Sequence, residues 1–223
     1  MDIIEAVRSR KSIRGYKPDP VPKEVLREIL EVASRSPSAM NTQPWEITVI
    51  TGQVLEDIKR GAIEMLDSGV TPERDVPSQR YEGNYKQRQV ELAIALFKLL
   101  GIAREDKEKR AKLTRKGYRF FDAPAAIIVS TDRSLVGSAF ALLDLGAIIQ
   151  TICLVAMKYG LGTCILGQGV TYSKVVRRFT GIPDSKRMVM SIAIGYPDWD
   201  FPANALETRR ESVENFVTWC GWE

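Results

Sequence analysis

The sequence predicts an α+β domain in which one central sheet is flanked by helices, and three observations carry that reading. Segments with apolar residues at every third or fourth position dominate the chain, whereas strand-like runs are few and short. Those runs lie scattered between the helical segments, which suits one shared sheet within a helical shell. No linker, internal repeat or low-complexity stretch divides the 223 residues, a length that can bury a substantial core, so residues 1–223 read as one domain.

In chain order, Ile3, Ile4 and Val7 have the spacing of a short amphipathic helix over 2–9, which delivers Arg10 at its end, where a cation also suits the helix pole. A stronger helix spans 22–35, with Pro22 at its first position and Val25, Leu26, Ile29, Leu30 and Ala33 on one face. Trp45 to Ile50 alternates apolar and polar residues as a half-buried strand does. Val54, Leu55, Ile58, Ala62, Met65 and Leu66 mark a helix closed by Gly69. From Thr71 to Gln89 periodicity disappears among prolines, tyrosines and arginines, and so long an irregular stretch reads as a lid over a pocket or a mobile surface loop. Val90 to Ile102 returns to a helix, and the dense mixed charge of Arg104 to Lys116 reads as a solvated helix face.

Ala125 to Ser130 is a buried strand candidate. Ala139 to Tyr159 is helical and apolar almost all round except for Asp144, so its own core or a second subunit must cover it on several sides. Gly160 to Gly167 reads as a strand leading to a glycine-rich bend, Tyr172 to Thr180 as a short helix, and Met188 to Ile194 as a buried strand. The tail from Trp199 to Glu223 carries Trp199, Phe201, Phe216, Trp219 and Trp222, and a tail that apolar must dock on something.

Composition narrows the chemistry. The chain contains no histidine, which excludes Ser-His-Asp and Cys-His nucleophilic machinery, histidine-based metal sites and a histidine general base. Redox or group-transfer chemistry must then come largely from a bound organic cofactor. Net charge is +4, with 28 acidic among 32 basic residues, too balanced for a nucleic-acid reader. Cys153, Cys164 and Cys220 are at no metal-ligand spacing and imply neither a disulfide framework nor a metal site; a reducing cytoplasm suits them. The N-terminus lacks a signal pattern, and the apolar run Leu145 to Met157 is too short to span a bilayer, so a soluble, membrane-free protein is expected.

Two stretches carry the function. Arg10-Lys11-Ser12-Ile13-Arg14 packs three fixed cations and a hydroxyl into five residues, a set suited to gripping a compact dianion; the alternative is a solvated basic turn. Ser36 to Trp45 is a polar loop that ends directly in a strand. Together they read as a phosphate clamp and a ring-edge reader for one cofactor.

These two stretches, with Gly160 to Gly167, the Ala193 to Pro197 turn and Arg209-Arg210, resemble in order the FMN-dependent nitroreductase family, over nearly the whole chain. The resemblance implies a dimeric sandwich with a mainly antiparallel sheet and FMN at the subunit interface. It implies that Arg10 and Arg210, or Arg209 if the register shifts by one, hold the phosphate beside Lys11 and Ser12. Arg14 would face the N1/C2 edge of the flavin, where a positive charge stabilises the negative charge that arrives with hydride. Pro37, Ser38, Met40 and Asn41 would meet the flavin of the other subunit, and Cys164, Ile165, Leu166 and Gly167 would run along one ring face, with the Gly167 N–H near N5.

Leu166 stands where many members carry an acidic residue. No side chain is assigned a catalytic role, because the flavin carries the chemistry, and Cys164 reads as a small buried neighbour with no base to activate it. Tyr81, Asn84, Tyr85 and Arg88 are candidates for the substrate side. The implied activity is hydride transfer from NAD(P)H through the flavin to an electron-poor aromatic acceptor such as a nitroaromatic or quinone. Reduction of an activated C=C bond, dehalogenation of an aromatic ring and a non-catalytic flavin sensor are the alternatives.

Overall fold

Four strands form one antiparallel sheet in a computed structural model of the chain, which describes residues 2–135 and 137–222. The strands are β1 (Glu46–Thr51), β2 (Ala125–Asp132), β3 (Gly162–Leu166) and β4 (Lys186–Gly195), in the order β1-β2-β4-β3. Around them lie α1 (Ile3–Ser9), α2 (Lys23–Ala33), α3 (Gly52–Asp67), α4 (Gly83–Leu99), α5 (Lys107–Tyr118), α6 (Ala139–Lys158) and α7 (Ser173–Thr180).

The two central strands sort their side chains by the period of two. Ala125, Ile127, Val129, Ile192 and Ile194 face a cluster built with Leu26, Ile29, Leu145, Ile148 and Ile152 of α2 and α6. Ala126, Ile128 and Ala193 face the opposite cluster, joined by Met188 beyond a bulge opposite Val129 and Ser130, with Leu55, Ile58, Phe120 and Val176 from the α3 and α7 side. The sheet is thus covered on both faces, which explains why the apolar run of β2 is continuous rather than alternating.

Three sequence expectations change. The stretch 71–89 is not one irregular loop. Regular helix begins at Gly83, so Asn84, Tyr85 and Arg88 stand on the first turns of α4. Residues 71–82 remain irregular but are pinned. Ser173 Oγ donates to the Glu73 carbonyl at 2.7 Å, and the Asp75 carboxylate accepts from Arg177 Nη2 at 2.5 Å and from the Met188 N–H at 2.8 Å. Helical periodicity was hidden because α4 buries no residue fully, so its first turns carry no apolar stripe.

The second change concerns α6. At 20 residues it is long and apolar enough, by length and composition, to cross a bilayer, although the run read from the sequence was shorter. Its inner face, however, is committed to α2 and the sheet, and Asp144 lies buried on it.

The tail also divides. Its first part, through the 3-10 turn Pro202–Ala205, packs back on its own chain: a Cβ on Gly15 would lie 2.5 Å from the Phe201 ring. Phe216, Trp219 and Trp222 remain exposed.

Gly162 is where the N-terminal segment comes closest to β3. A Cβ there would lie 2.5 Å from Ile13 Cγ1 and 2.8 Å from Pro197 Cγ. Gly162→Ala is predicted to cost about 1–3 kcal/mol by overpacking, read as a lower urea midpoint at unchanged m-value; an unshifted midpoint would show that the segment gives way freely.

Candidate active site

The cationic stretch is an extra extended segment laid along the free edge of β3. Ile13 N–H donates to the Thr163 carbonyl at 2.9 Å, and Ser12 and Thr163 form an isolated parallel bridge. Further along, Lys17 N–H donates to the Tyr196 carbonyl at 2.9 Å, and Tyr16 bridges Pro197. The Tyr16 hydroxyl donates to the Ile13 carbonyl at 2.9 Å. The stretch is therefore built into the sheet edge and is not a loose basic turn.

Two cavities flank this seam. One, of about 240 Å³, is lined by Arg10, Lys11 and Ile13 together with Gly160 to Thr163, Pro197 and Trp199. The other, of about 370 Å³, is lined by Arg14, Cys164 to Gln168, Leu96, Leu113, Thr114 and Phe121. Arg10 and Lys11 thus serve one end of β3 and Arg14 the other. A larger hollow of about 660 Å³ lies between α2 and β1. Of its charged side chains, Arg27 and Glu31 pair with each other at 3.4 Å in solvent and Lys23 is exposed, so none is a buried group held ready for a ligand.

Arg14 is held by its backbone. Its N–H donates to Asn204 Oδ1 at 2.6 Å, while Asn204 Nδ2 donates to the carbonyls of Gly15 at 2.8 Å and Asp198 at 2.7 Å. Lys11 Nζ lies 5.7 Å from the centroid of the Trp199 ring, a cation–π distance.

The loop Ser36 to Trp45 stands apart. The Ala39 N–H donates to the Asp144 carboxylate at 3.1 Å, Ser36 Oγ sits 2.8 Å from Thr151 Oγ1, and the Gln43 N–H donates to Ser38 Oγ at 3.0 Å. α6 therefore carries the loop, and Asp144 is its anchor. Met40, Asn41 and Gln43 have φ of 51°, 58° and 46°, left-handed values that cost free energy in non-glycine residues. Met40 is 97% exposed. Pro37 and Ser38 line a hollow with Phe140, Leu143 and Asp144. Among the described residues, no hydrogen bond or cavity joins this loop to Arg10, Lys11, Ser12 or Arg14 of the same chain.

Other candidates fall outside the cavities at β3. Tyr81, Asn84 and Tyr85 are exposed, and Arg88 pairs with Glu211 at 3.0 Å. Arg210 donates to Thr208 Oγ1 at 2.6 Å and to the Arg209 carbonyl at 3.0 Å, so both arginines stay in the exposed tail. Sequence reasoning missed Leu96, Leu113, Thr114, Phe121 and Gln168 as cavity walls. Leu96 was legible only as part of an apolar helix face, and Leu113 and Thr114 were hidden in a charge-dense stretch. Phe121 enters through a left-handed turn, Phe120–Asp122, that no residue pattern announces.

Cys164 is buried, and burial is the main reason its thiol titrates above the usual range, against the lowering effect of Arg14 and Ser12. Burial also pushes Cys153 up to about 11. Both thiols stay protonated at neutral pH, which fits the reading of Cys164 as an inert neighbour. A thiol reagent at pH 8 is predicted to label only Cys220, the exposed cysteine, in the native protein, and all three after unfolding; native labelling of Cys164 would contradict its burial.

Comparison with known proteins agrees with this architecture. The profile of the Nitroreductase family matches residues 7–196. A 4-nitrobenzoate reductase of Nocardioides sp. (strain LMS-CY) is 34% identical over 222 residues, covering 97% of this chain and 89% of that protein. A chloronitrobenzene nitroreductase of Comamonas testosteroni is 32% identical over 219 residues, covering 97% and 96%. The crystal structure of the FMN and NADPH-dependent nitroreductase NfnB from sphigopyxis sp. strain HMH superposes with a TM-score of 0.95 at 28% identity, over 100% of both chains. A matching fold, a family profile that spans both the cationic stretch and β3, and relatives aligned almost end to end place the chain in the Nitroreductase family.

Proposed function

We propose that the chain is an FMN-dependent oxidoreductase that passes hydride from NAD(P)H to electron-poor aromatic acceptors, nitroaromatics foremost. The observation that carries this reading is the seating of Arg10, Lys11, Ser12 and Arg14 on the edge of β3, between two cavities. The residues fit the cofactor. A phosphate needs clustered cations, which Arg10 and Lys11 provide in one cavity with Ser12 next to them in the chain, and a ring needs apolar surface and one cation, which the Arg14 cavity provides. Arg209 and Arg210 line neither cavity of their own chain. When bound, FMN supplies hydride acceptance and hydride donation at its N5 position.

The chain's own share is binding, orientation and electrostatics. Arg14 would hold a positive charge beside a ring bound in this cavity, and such a charge stabilises developing negative charge more there than in open water. Leu96, Leu113, Phe121 and Ile165 give this cavity apolar surface, which suits a flat acceptor. Cys164, Leu166 and Gly167 form the floor of the same cavity. With no histidine in the chain, the proton that must accompany each hydride onto an acceptor oxygen would come from solvent.

A homodimer follows from the separation of the two stretches. The loop carrying Pro37, Ser38, Met40 and Asn41 meets no ligand cavity at β3 in its own chain, so it is available to complete the site of a second copy. Phe140, Leu142 and Leu143 on α6, Ile3, Ile4 and Val7 on α1, and the aromatic tail leave apolar surface for that copy to cover. A reducing cytoplasm suits the three free cysteines.

Anaerobic addition of NADH or NADPH to the FMN-loaded protein is predicted to bleach the flavin band, and a nitroaromatic should restore it. An FMN-loaded protein that neither donor bleaches would instead support the non-catalytic sensor. Arg14→Gln should lower kcat/KM by about tenfold or more, the loss of roughly 1.4 kcal/mol of transition-state stabilisation. Light scattering should give twice the chain mass of 25.0 kDa at micromolar concentration, and a monomer would overturn the shared-site reading.

A further inference from the structure

We infer that Asn204 is the positioning residue that sets the conformation of Arg14, and through it the grip of the β3 cavity on a flavin; this rests on the cofactor reading above. Asn204 lies in a 3-10 turn of the tail, far from Arg14 in sequence, yet it is completely buried. Its amide is used at both ends: Oδ1 accepts the Arg14 N–H, and Nδ2 donates to the Gly15 and Asp198 carbonyls. The backbone from the Arg14 nitrogen to the Gly15 carbonyl is thereby held from one side chain. That backbone conformation decides which χ1 rotamers Arg14 can adopt, and so the direction in which its side chain leaves the segment.

The surroundings leave little slack. Gly15 has no Cβ because the Phe201 ring fills that space, and Phe201 in turn lies under Lys116 of α5 at 4.9 Å from the ring centroid. The Arg14 guanidinium bonds the Ser12 carbonyl at 3.2 Å, and among the described residues no carboxylate pairs with it. Its charge is therefore free for the cavity it lines, provided the backbone presents it there. A buried amide that satisfies one donor and two acceptors is costly to remove, since each group left unpaired keeps its desolvation penalty. What distinguishes positioning from mere stability is that the penalty should reach the flavin only through Arg14.

The test is a double-mutant cycle on FMN affinity, followed by quenching of flavin fluorescence on titration into apo-protein, with thermal melts run alongside. The proteins are the parent, Asn204→Ser, Asn204→Leu, Arg14→Gln and the Asn204→Ser/Arg14→Gln double variant. Asn204→Ser is expected to weaken FMN binding by about tenfold or more, a difference such a titration resolves easily. In the Arg14→Gln background the same change should weaken it little further, although the melting temperature falls equally in both backgrounds, because the backbone contacts of Asn204 remain. If the isosteric Asn204→Leu protein does not fold, the serine variant decides. Additive losses of affinity would mean that Asn204 supports the fold generally, and would overturn the inference. A parent that binds FMN while Arg14→Gln binds it equally well would overturn the positioning role alone. A parent that binds no FMN would overturn the cofactor reading and this inference with it.

Discussion

The single hydrogen bond from the Ile13 N–H to the Thr163 carbonyl, with the Ser12–Thr163 bridge beside it, is the constraint on which the candidate site depends. It converts a flexible basic stretch into a fifth, irregular member of the sheet edge. Edge strands expose unpaired backbone groups, and covering one with a charged segment satisfies those groups while it denies the edge to other chains. Here the same economy yields a run of cations on a backbone that is held in place. That backbone entropy is lost during folding rather than on ligand binding, which favours affinity. Gly162 makes the approach possible, and Pro197 and Tyr196 hold the far end.

Much of the fold was legible because it follows periodicity. The strands at 46–51 and 186–195 and the helices at 23–33 and 139–158 lie within a few residues of where apolar spacing places them. The density of Arg10 to Arg14 was legible too, as a choice between a dianion clamp and a solvated basic turn, and the folded chain pairs the stretch with the edge of β3. Other features were not, for identifiable reasons. The start of α4 carries polar residues on every face and therefore no stripe. Asn204 is one ordinary amide in an aromatic tail, and only the folded chain shows that it reaches back to residue 14. The tail itself looked like one docking element, yet its first part serves its own subunit.

Two short turns hold non-glycine residues in left-handed conformations, at Met40 to Gln43 and at Phe120 to Asp122. Each such residue costs on the order of 1 kcal/mol, so surrounding contacts must over-determine them. The first turn is tied down by Asp144 and by Ser38. Next to the second, the buried Lys59 donates to the Ala123 carbonyl at 3.0 Å while pairing with Glu56 at 2.8 Å. That turn delivers Phe121 to a cavity wall and Phe120 to the core. Strain thus sits where side chains must be aimed, and buried charges on neighbouring helices hold it.

The pinning of Asp75 has a mechanical consequence. Its carboxylate joins Arg177 and the backbone of β4, with both side chains largely out of water, so releasing it would strand a buried charge. Helix α4, in contrast, buries no residue fully and is tied to the tail by an exposed ion pair. The first turns of α4, residues 83–92, are exposed throughout, whereas Ala93, Ala95, Leu96 and Phe97 are half-buried. This region is therefore held from both ends, by Asp75 ahead of the helix and by Leu96 and Phe97 in its second half, and the exposed turns between them are the part that can yield.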